Sequence, residues 1–263
     1  MDREWGQTLR SEFLVHWTGG KDIEPKYEEG KISDAERCRK YVDRLSGTLQ
    51  KGLWMTNQTD AISTSEYTFR QNGPMTCFTE VKLSTARIHA QKYGYLGFGF
   101  SRDFIVSTLL GAPVHYVAAT GDSTDLISAS LAGLDKIIEK LRVENAPHFN
   151  KTSQRLHDEL KPSILFMKPM SECKDPHDFA MLEEHEWRVL CTKKMQTENM
   201  VLCGENATPP AKLTFTQADL KVLVLPDNDT RKMALENDFI WQWLSKERAQ
   251  FPIIITVEEC LQF

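Results

Sequence analysis

Glu183-Glu184-His185-Glu186-Trp187-Arg188-Val189-Leu190 is the stretch on which the fold turns. Read as a strand, its alternation puts Glu184, Glu186 and Arg188 on one face and His185, Trp187 and Val189 on the other. Two carboxylates then stand side by side. Such closeness is tolerated where a cation, a hydrogen-bond network or a substrate compensates, which makes the pair a candidate for acid/base or electrostatic work. The alternative for these residues is a solvated edge strand, since surface carboxylates are common.

Upstream, Phe13-Leu14-Val15-His16-Trp17 reads as a short strand ended by Thr18-Gly19-Gly20, where glycine permits a tight turn or the close approach of a ligand. Ser33, with Glu36 three residues on, forms a capping box, and Tyr41, Val42 and Leu45 continue at helical spacing, with Ser46-Gly47 as a possible stop. Leu53-Trp54-Met55 and Met75-Thr76-Cys77-Phe78-Thr79 read as strands separated by a polar loop excursion over 56–73. Ser84 or Thr85 opens a helix through Ala90. Tyr93-Gly94-Tyr95-Leu96-Gly97-Phe98-Gly99-Phe100 then alternates glycine with larger residues, which suits either a flat ligand or a strand packed tightly under a helix.

Ser101 and Asp103 offer helix caps, and Pro113-Val114-His115-Tyr116-Val117 reads as a strand. Residues 125–143 carry an apolar helical stripe, including Leu134 and Ile137, read as core packing. A second loop excursion is placed at 145–162, followed by strands at Ile164–Lys168 and in the glutamate stretch. The chain closes with a strand at Leu220–Leu225, a helix capped by Asp229-Thr230 and running to about Lys246, and a strand at Pro252–Val257. Mixed α/β structure with roughly eight strands follows, and residues 1–263 read as a single domain because no composition break or repeat divides them.

With 41% hydrophobic and 26% charged residues the composition is that of a folded globular protein. The net charge of −5 implies no global attraction to a polyanion, although a local basic groove is compatible with it. The six cysteines form no Cys-x-x-Cys pair, which argues against zinc ribbons and thioredoxin-like motifs, and reduced thiols are expected. The charged Met1-Asp2-Arg3-Glu4-Trp5 start and the lack of any apolar run near the ~18 residues needed to span a bilayer place the chain in the cytoplasm, away from membranes.

No phosphate-binding loop is present, His185-Glu186 lacks the second histidine of a zinc-protease helix, and no Gly-x-Ser-x-Gly elbow appears. Nucleotide triphosphatase, metal and covalent-hydrolase classes lose their support, and no metal is expected. Within 56–72 Arg70 is the only basic residue, and no basic, aromatic-interleaved stretch that would favour nucleic acid is found.

In chain order, an early His strand, a middle strand with an aromatic and a hydroxyl, and a late Glu-x-Glu strand resemble the three-part pattern of the ADP-ribosyltransferase fold. Leu14-Val15-His16-Trp17-Thr18, Cys77-Phe78-Thr79-Glu80, the aromatic-Gly run 93–100, Pro113–Val117 and Glu184–Arg188 together resemble the AbiGi family of abortive phage-resistance proteins, whose members are often labelled antitoxin components. The resemblance implies an α+β fold, with a mixed, mostly antiparallel sheet split around a central cleft and helices packed outside.

It further implies an NAD-dependent transferase in phage defence. NAD, as substrate, would lie across the sheet, with His16, Trp17, Thr18 and Gly19 on ribose and carboxamide, and Phe78 or Tyr95, with Thr79 nearby, against nicotinamide. Glu186 would stabilise the oxocarbenium-like ribose, Glu184 would orient or deprotonate a macromolecular acceptor, protein or nucleic acid, and Arg188 would hold phosphates or neutralise the pair. His16 departs from the arginine of many toxin transferases and fits the His-type branch. From another class, the family label implies a non-catalytic antitoxin or sensor that binds a cognate partner, protein or nucleotide, through the same cleft. A third reading is an interaction module in which Glu184, Glu186 and Arg188 form a surface ion network of little energetic weight.

Overall fold

The computed structural model describes residues 12–63, 68–80, 82–118, 133–134, 136–137, 140, 165–170, 185–203 and 211–262. The elements follow as β1 (Phe13–Thr18), α1 (Glu24–Glu28), α2 (Asp34–Lys51), β2 (Leu53–Ser63), β3 (Thr68–Thr79), α3 (Ala86–Tyr93) and β4 (Leu96–Ser101). A π-helical turn (Phe104–Thr108) leads to β5 (Ala112–Pro113), β6 (His115–Ala118), β7 (Met167–Met170) and β8 (Glu186–Leu190). Then come α4 (Lys193–Thr197), β9 (Val201–Cys203), β10 (Ala211–Leu213), β11 (Leu220–Leu225), α5 (Asn228–Leu235), α6 (Asp238–Leu244) and β12 (Ile253–Thr256).

The main sheet runs β12-β11-β4-β1-β3-β2-β10-β9, with β8 on β3 and β5 on β8. Its described pairings are antiparallel except β11 with β12, and β6 and β7 form a separate parallel pair. The architecture is α+β, with a mixed, mostly antiparallel sheet. Leu14, Phe78, Phe98, Phe100, Trp187, Leu223 and Leu225 pack on one face against Tyr41, Val42, Leu45 and Leu49 of α2, Ala234 of α5 and Ile240 and Leu244 of α6. On the other face, Val15, Trp17, Val222, Val224 and Ile255 lie under Ala86 and Ala90 of α3. Burial on both faces explains the apolar run Val222-Leu223-Val224-Leu225 of β11.

Helix α2 begins as its sequence predicts, the Ser33 hydroxyl accepting from Glu36 N–H at 3.3 Å. It does not stop at Ser46-Gly47 but continues to Lys51, capped by Gly52 at φ 89°. An internal glycine costs a helix about 1 kcal/mol, whereas burying Leu49 returns roughly 2 kcal/mol, so the longer helix wins. Gly52 is obligatory, since a Cβ there would lie 2.3 Å from the Leu213 carbonyl oxygen.

Strand β3 is the branching member of the sheet. Met75 stands opposite both Thr56 and Leu190, and Thr79 opposite both Val15 and Glu186. A strand has two edges, so β8 occupies one of them, while β2 and β1 share the other and part company between residues 75 and 79. β1 and β2 therefore fork from β3.

Several expectations need correcting. The stretch 56–73 is no loop excursion: Thr56↔Met75 through Ser63↔Thr68 form one continuous hairpin ladder, because ladder bonds use backbone groups and tolerate the Thr, Asn and Gln side chains that read as loop. Pro113–Val117 divides between two sheets, β5 pairing with β8 and β6 with β7. The late helix is two, capped by Asp227 and Asn237. Within the described part of 125–143, Leu134 and Ile137 are 40% and 56% exposed rather than core, since an amphipathic stripe specifies a helix and not its partner. The excursion placed at 145–162 and Glu184 lie outside the described residues.

Candidate functional site

Strand β8 begins at Glu186, and His185 precedes it as an exposed residue at φ 43°, off the strand it was expected to share. From Glu186 onward the alternation holds. Glu186, 6% exposed, accepts from Arg188 Nε at 2.8 Å through one carboxylate oxygen and from Lys168 Nζ at 2.8 Å through the other. Arg188, fully buried, also donates to the Leu165 carbonyl at 2.6 Å. Burial pushes the Glu186 carboxyl up, but Arg188 and then Lys168 outweigh it and hold the group below its ordinary value. The same burial, reinforced by Glu186, drives the neighbouring Cys77 thiol far upward. The cluster is therefore an interior ion triad in which both Glu186 oxygens are bonded, not a surface network.

His16 occupies the fork. Its Nδ1 lies 2.8 Å from the Cys77 carbonyl, in the interval of β3 where the ladder passes from β2 to β1. Because a carbonyl only accepts, Nδ1 carries the hydrogen, and burial holds the imidazole pKa down and the ring neutral. The ring meets Phe78 edge-on at 5.9 Å. Phe78 is 1% exposed and abuts Phe100. Trp17 Nε1 donates to Thr79 Oγ1 at 3.0 Å, and that hydroxyl donates to the Val15 carbonyl at 3.1 Å.

Gly19, at φ +106°, is required by Tyr41, whose ring would meet a Cβ at 2.5 Å. The Tyr41 hydroxyl in turn donates to Glu24 at 2.6 Å and accepts from Tyr95 N–H at 3.2 Å. Tyr95 is one of three tyrosines, with Tyr27 and Tyr41, around the Arg37 guanidinium. Gly97 is backed by Trp17 and Val15, and Gly99 by Val222, so the aromatic-Gly run is a tightly packed strand rather than an open ligand face.

The register decides which of these groups can act together. Val15 opposes Thr79, and Thr79 opposes Glu186, so Val15, Trp17, Thr79, Glu186 and Arg188 share one face. Leu14, His16, Phe78 and Trp187 occupy the other. His16 and Glu186 thus point to opposite sides of the sheet, Phe78 is buried in the core layer under α2, and Tyr95 is engaged with Arg37. Among the described residues these side chains do not form one dinucleotide site.

A hollow of about 360 Å³ lies elsewhere, between α1, α2 and the β2–β10 edge. Lys26, Lys40, Arg44, Lys51 and Lys212 line it together with Trp54, against the two carboxylates Asp22 and Asp43. Arg44 spans the fork: it donates to Thr18 Oγ1 at 3.0 Å, pairs with Asp22, and stands 5.2 Å over the Trp54 ring. Lys212 is directly opposite Trp54 in the β10–β2 ladder. The outward phase of this short ladder follows from Leu53 and Met55 turning into the core, which leaves Trp54 49% exposed. The groove is not apparent along the sequence because its cations come from three separate segments, α1, α2 and β10, and its indole from a fourth. The one legible sign was Trp54 standing outward between two core residues.

Among the described residues no helix is long and apolar enough to cross a membrane, and no group of three or more His, Cys, Asp or Glu side chains is arranged to hold a metal ion. The described site is thus that of an α+β protein with a locked interior ion triad and a basic surface groove. Residues 54–223 match the family described as "Putative abortive phage resistance protein AbiGi, antitoxin", and the chain belongs to the AbiGi family. Comparison with curated proteins and with solved structures gave no match.

Proposed function

We propose that the chain is the antitoxin component of an abortive phage-resistance pair and acts by binding a cognate partner rather than by catalysis. The family description supports the role. The observation that carries the non-catalytic part is the closed bonding of Glu186: both carboxylate oxygens are taken by Arg188 and Lys168, on the sheet face opposite His16. A carboxylate that stabilises developing positive charge must be aimed at the reacting atom, and this one is aimed at its own neighbours.

In a bacterial host, the product of the gene adjacent to its own is expected to arrest growth when expressed alone, and co-expression of this chain is expected to restore growth. The purified chain, incubated with NAD and a cell lysate, is expected to release no nicotinamide. Growth arrest by this chain alone, or nicotinamide release abolished by Glu186→Gln, would overturn the reading.

A further inference from the structure

We infer that the groove between α2 and the β2–β10 edge is a binding site for single-stranded polynucleotide, with the phosphates on its lysines and a base stacked on Trp54. The inference stands apart from the antitoxin role, since it needs only the groove. Charge is the first argument. The whole chain is net negative at −5, yet this hollow gathers five cations against two carboxylates. Such segregation against the molecule's overall sign creates a local attractive potential for a polyanion.

Availability is the second. Among the described residues Lys26, Lys51 and Lys212 make no ion pair, and Lys40 reaches Glu36 only at 3.5 Å. Lys40, Arg44 and Lys51 follow one side of α2 over about 16 Å, which is a track rather than a point. Gly47 lies between them, with nothing within 4 Å of where its Cβ would stand, so the backbone side of the groove is open.

The exposed indole selects the class of ligand. An acidic peptide would need only the cations. Here a half-exposed indole stands among them, beside Arg44 and opposite Lys212. Cations that follow a backbone and an aromatic face that takes a base are the combination single-stranded nucleic acids use, and a duplex hides the base faces that such a ring requires.

The test is fluorescence anisotropy of the full chain with labelled 12-nucleotide RNA and DNA single strands, their duplex, and poly-glutamate as the acidic-protein probe. Single strands are expected to bind, with log Kobs falling against log salt at a slope of about −2, as for three neutralised phosphates. Stronger binding of RNA than of DNA would assign the site to RNA, and equal binding to either strand. Lys51→Glu/Lys212→Glu is expected to weaken binding at least tenfold, and Trp54→Ala about tenfold. Gly47→Glu removes no contact and favours helix, so it is expected to fold as well as wild type while also weakening binding at least tenfold. Lys82→Glu/Lys246→Glu, which lies outside the groove, is expected to change affinity less than twofold. Preferential binding of the duplex or of poly-glutamate, absence of strand binding, or binding indifferent to Gly47→Glu would overturn the inference.

Discussion

Glu186 holds a negative charge in the interior because two cations reach it, one on each oxygen. Replacing it with Gln leaves the buried Arg188 guanidinium uncompensated, and breaking such a pair typically costs about 3–5 kcal/mol. The folded pKa is held below the ordinary 4.5, so folding favours the ionised form. That contribution is complete above the unfolded value and is lost as pH falls through the folded one. Urea unfolding at neutral pH is therefore expected to show Glu186→Gln less stable by about 3–5 kcal/mol, with the gap to wild type narrowing as pH is taken well below 4.5. A gap that is small at neutral pH or independent of pH would show that the triad contributes little. The pairing of Glu186 with Arg188 was legible from alternation alone. The position of that face relative to His16 was not, because it depends on β3 as intermediary between β1 and β8, a relation no local pattern carries.

At the scale of elements, β8 and β9 end side by side around α4. Cys191, just past β8, and Cys203, closing β9, have their sulfurs 3.9 Å apart, and Gln196 donates to Cys191 at 3.2 Å. Burial raises the Cys191 thiol pKa, with Gln196 opposing it, so thiolate forms mainly at alkaline pH. Diamide, which accepts the two electrons and two protons released, is expected to join these thiols at mildly alkaline pH. Peptide mass mapping should recover Cys191 linked to Cys203, and the oxidised chain should melt higher, by roughly 3 kcal/mol for a loop of this size. A linkage between other cysteines, or none, would contradict the geometry. Some element starts were legible in the sequence, the Ser33 cap of α2 and the apolar runs of β1, β4, β11 and β12, whereas the start of β8 at Glu186 and the Asp227 and Asn237 caps were not. Element ends were less legible, because tertiary burial of Leu49 overrode Gly47, and hairpin bonding overrode the polar side chains of β2 and β3. Apart from the outward Trp54 the basic groove was illegible, since residues 22–26, 40–51, 54 and 212 meet only after folding.

For the whole molecule, the two apolar layers on either face of the sheet share strands: Leu14 and Val15, or Val222 and Leu223, send neighbouring side chains into different layers. Neither layer can dissolve while the other keeps its strands. Unfolding followed by far-ultraviolet circular dichroism and by tryptophan fluorescence is expected to give coincident curves, and separated midpoints would show layers that melt independently. The forked strand sharpens this. A shift of β3 by one residue would exchange Phe78 with Thr79 across the sheet, and because β1, β2 and β8 all measure their alignment from that single strand, the mistake would be written simultaneously into every neighbour. Threading errors thus have no quiet place to hide, and the correct alignment is checked from both flanks at once.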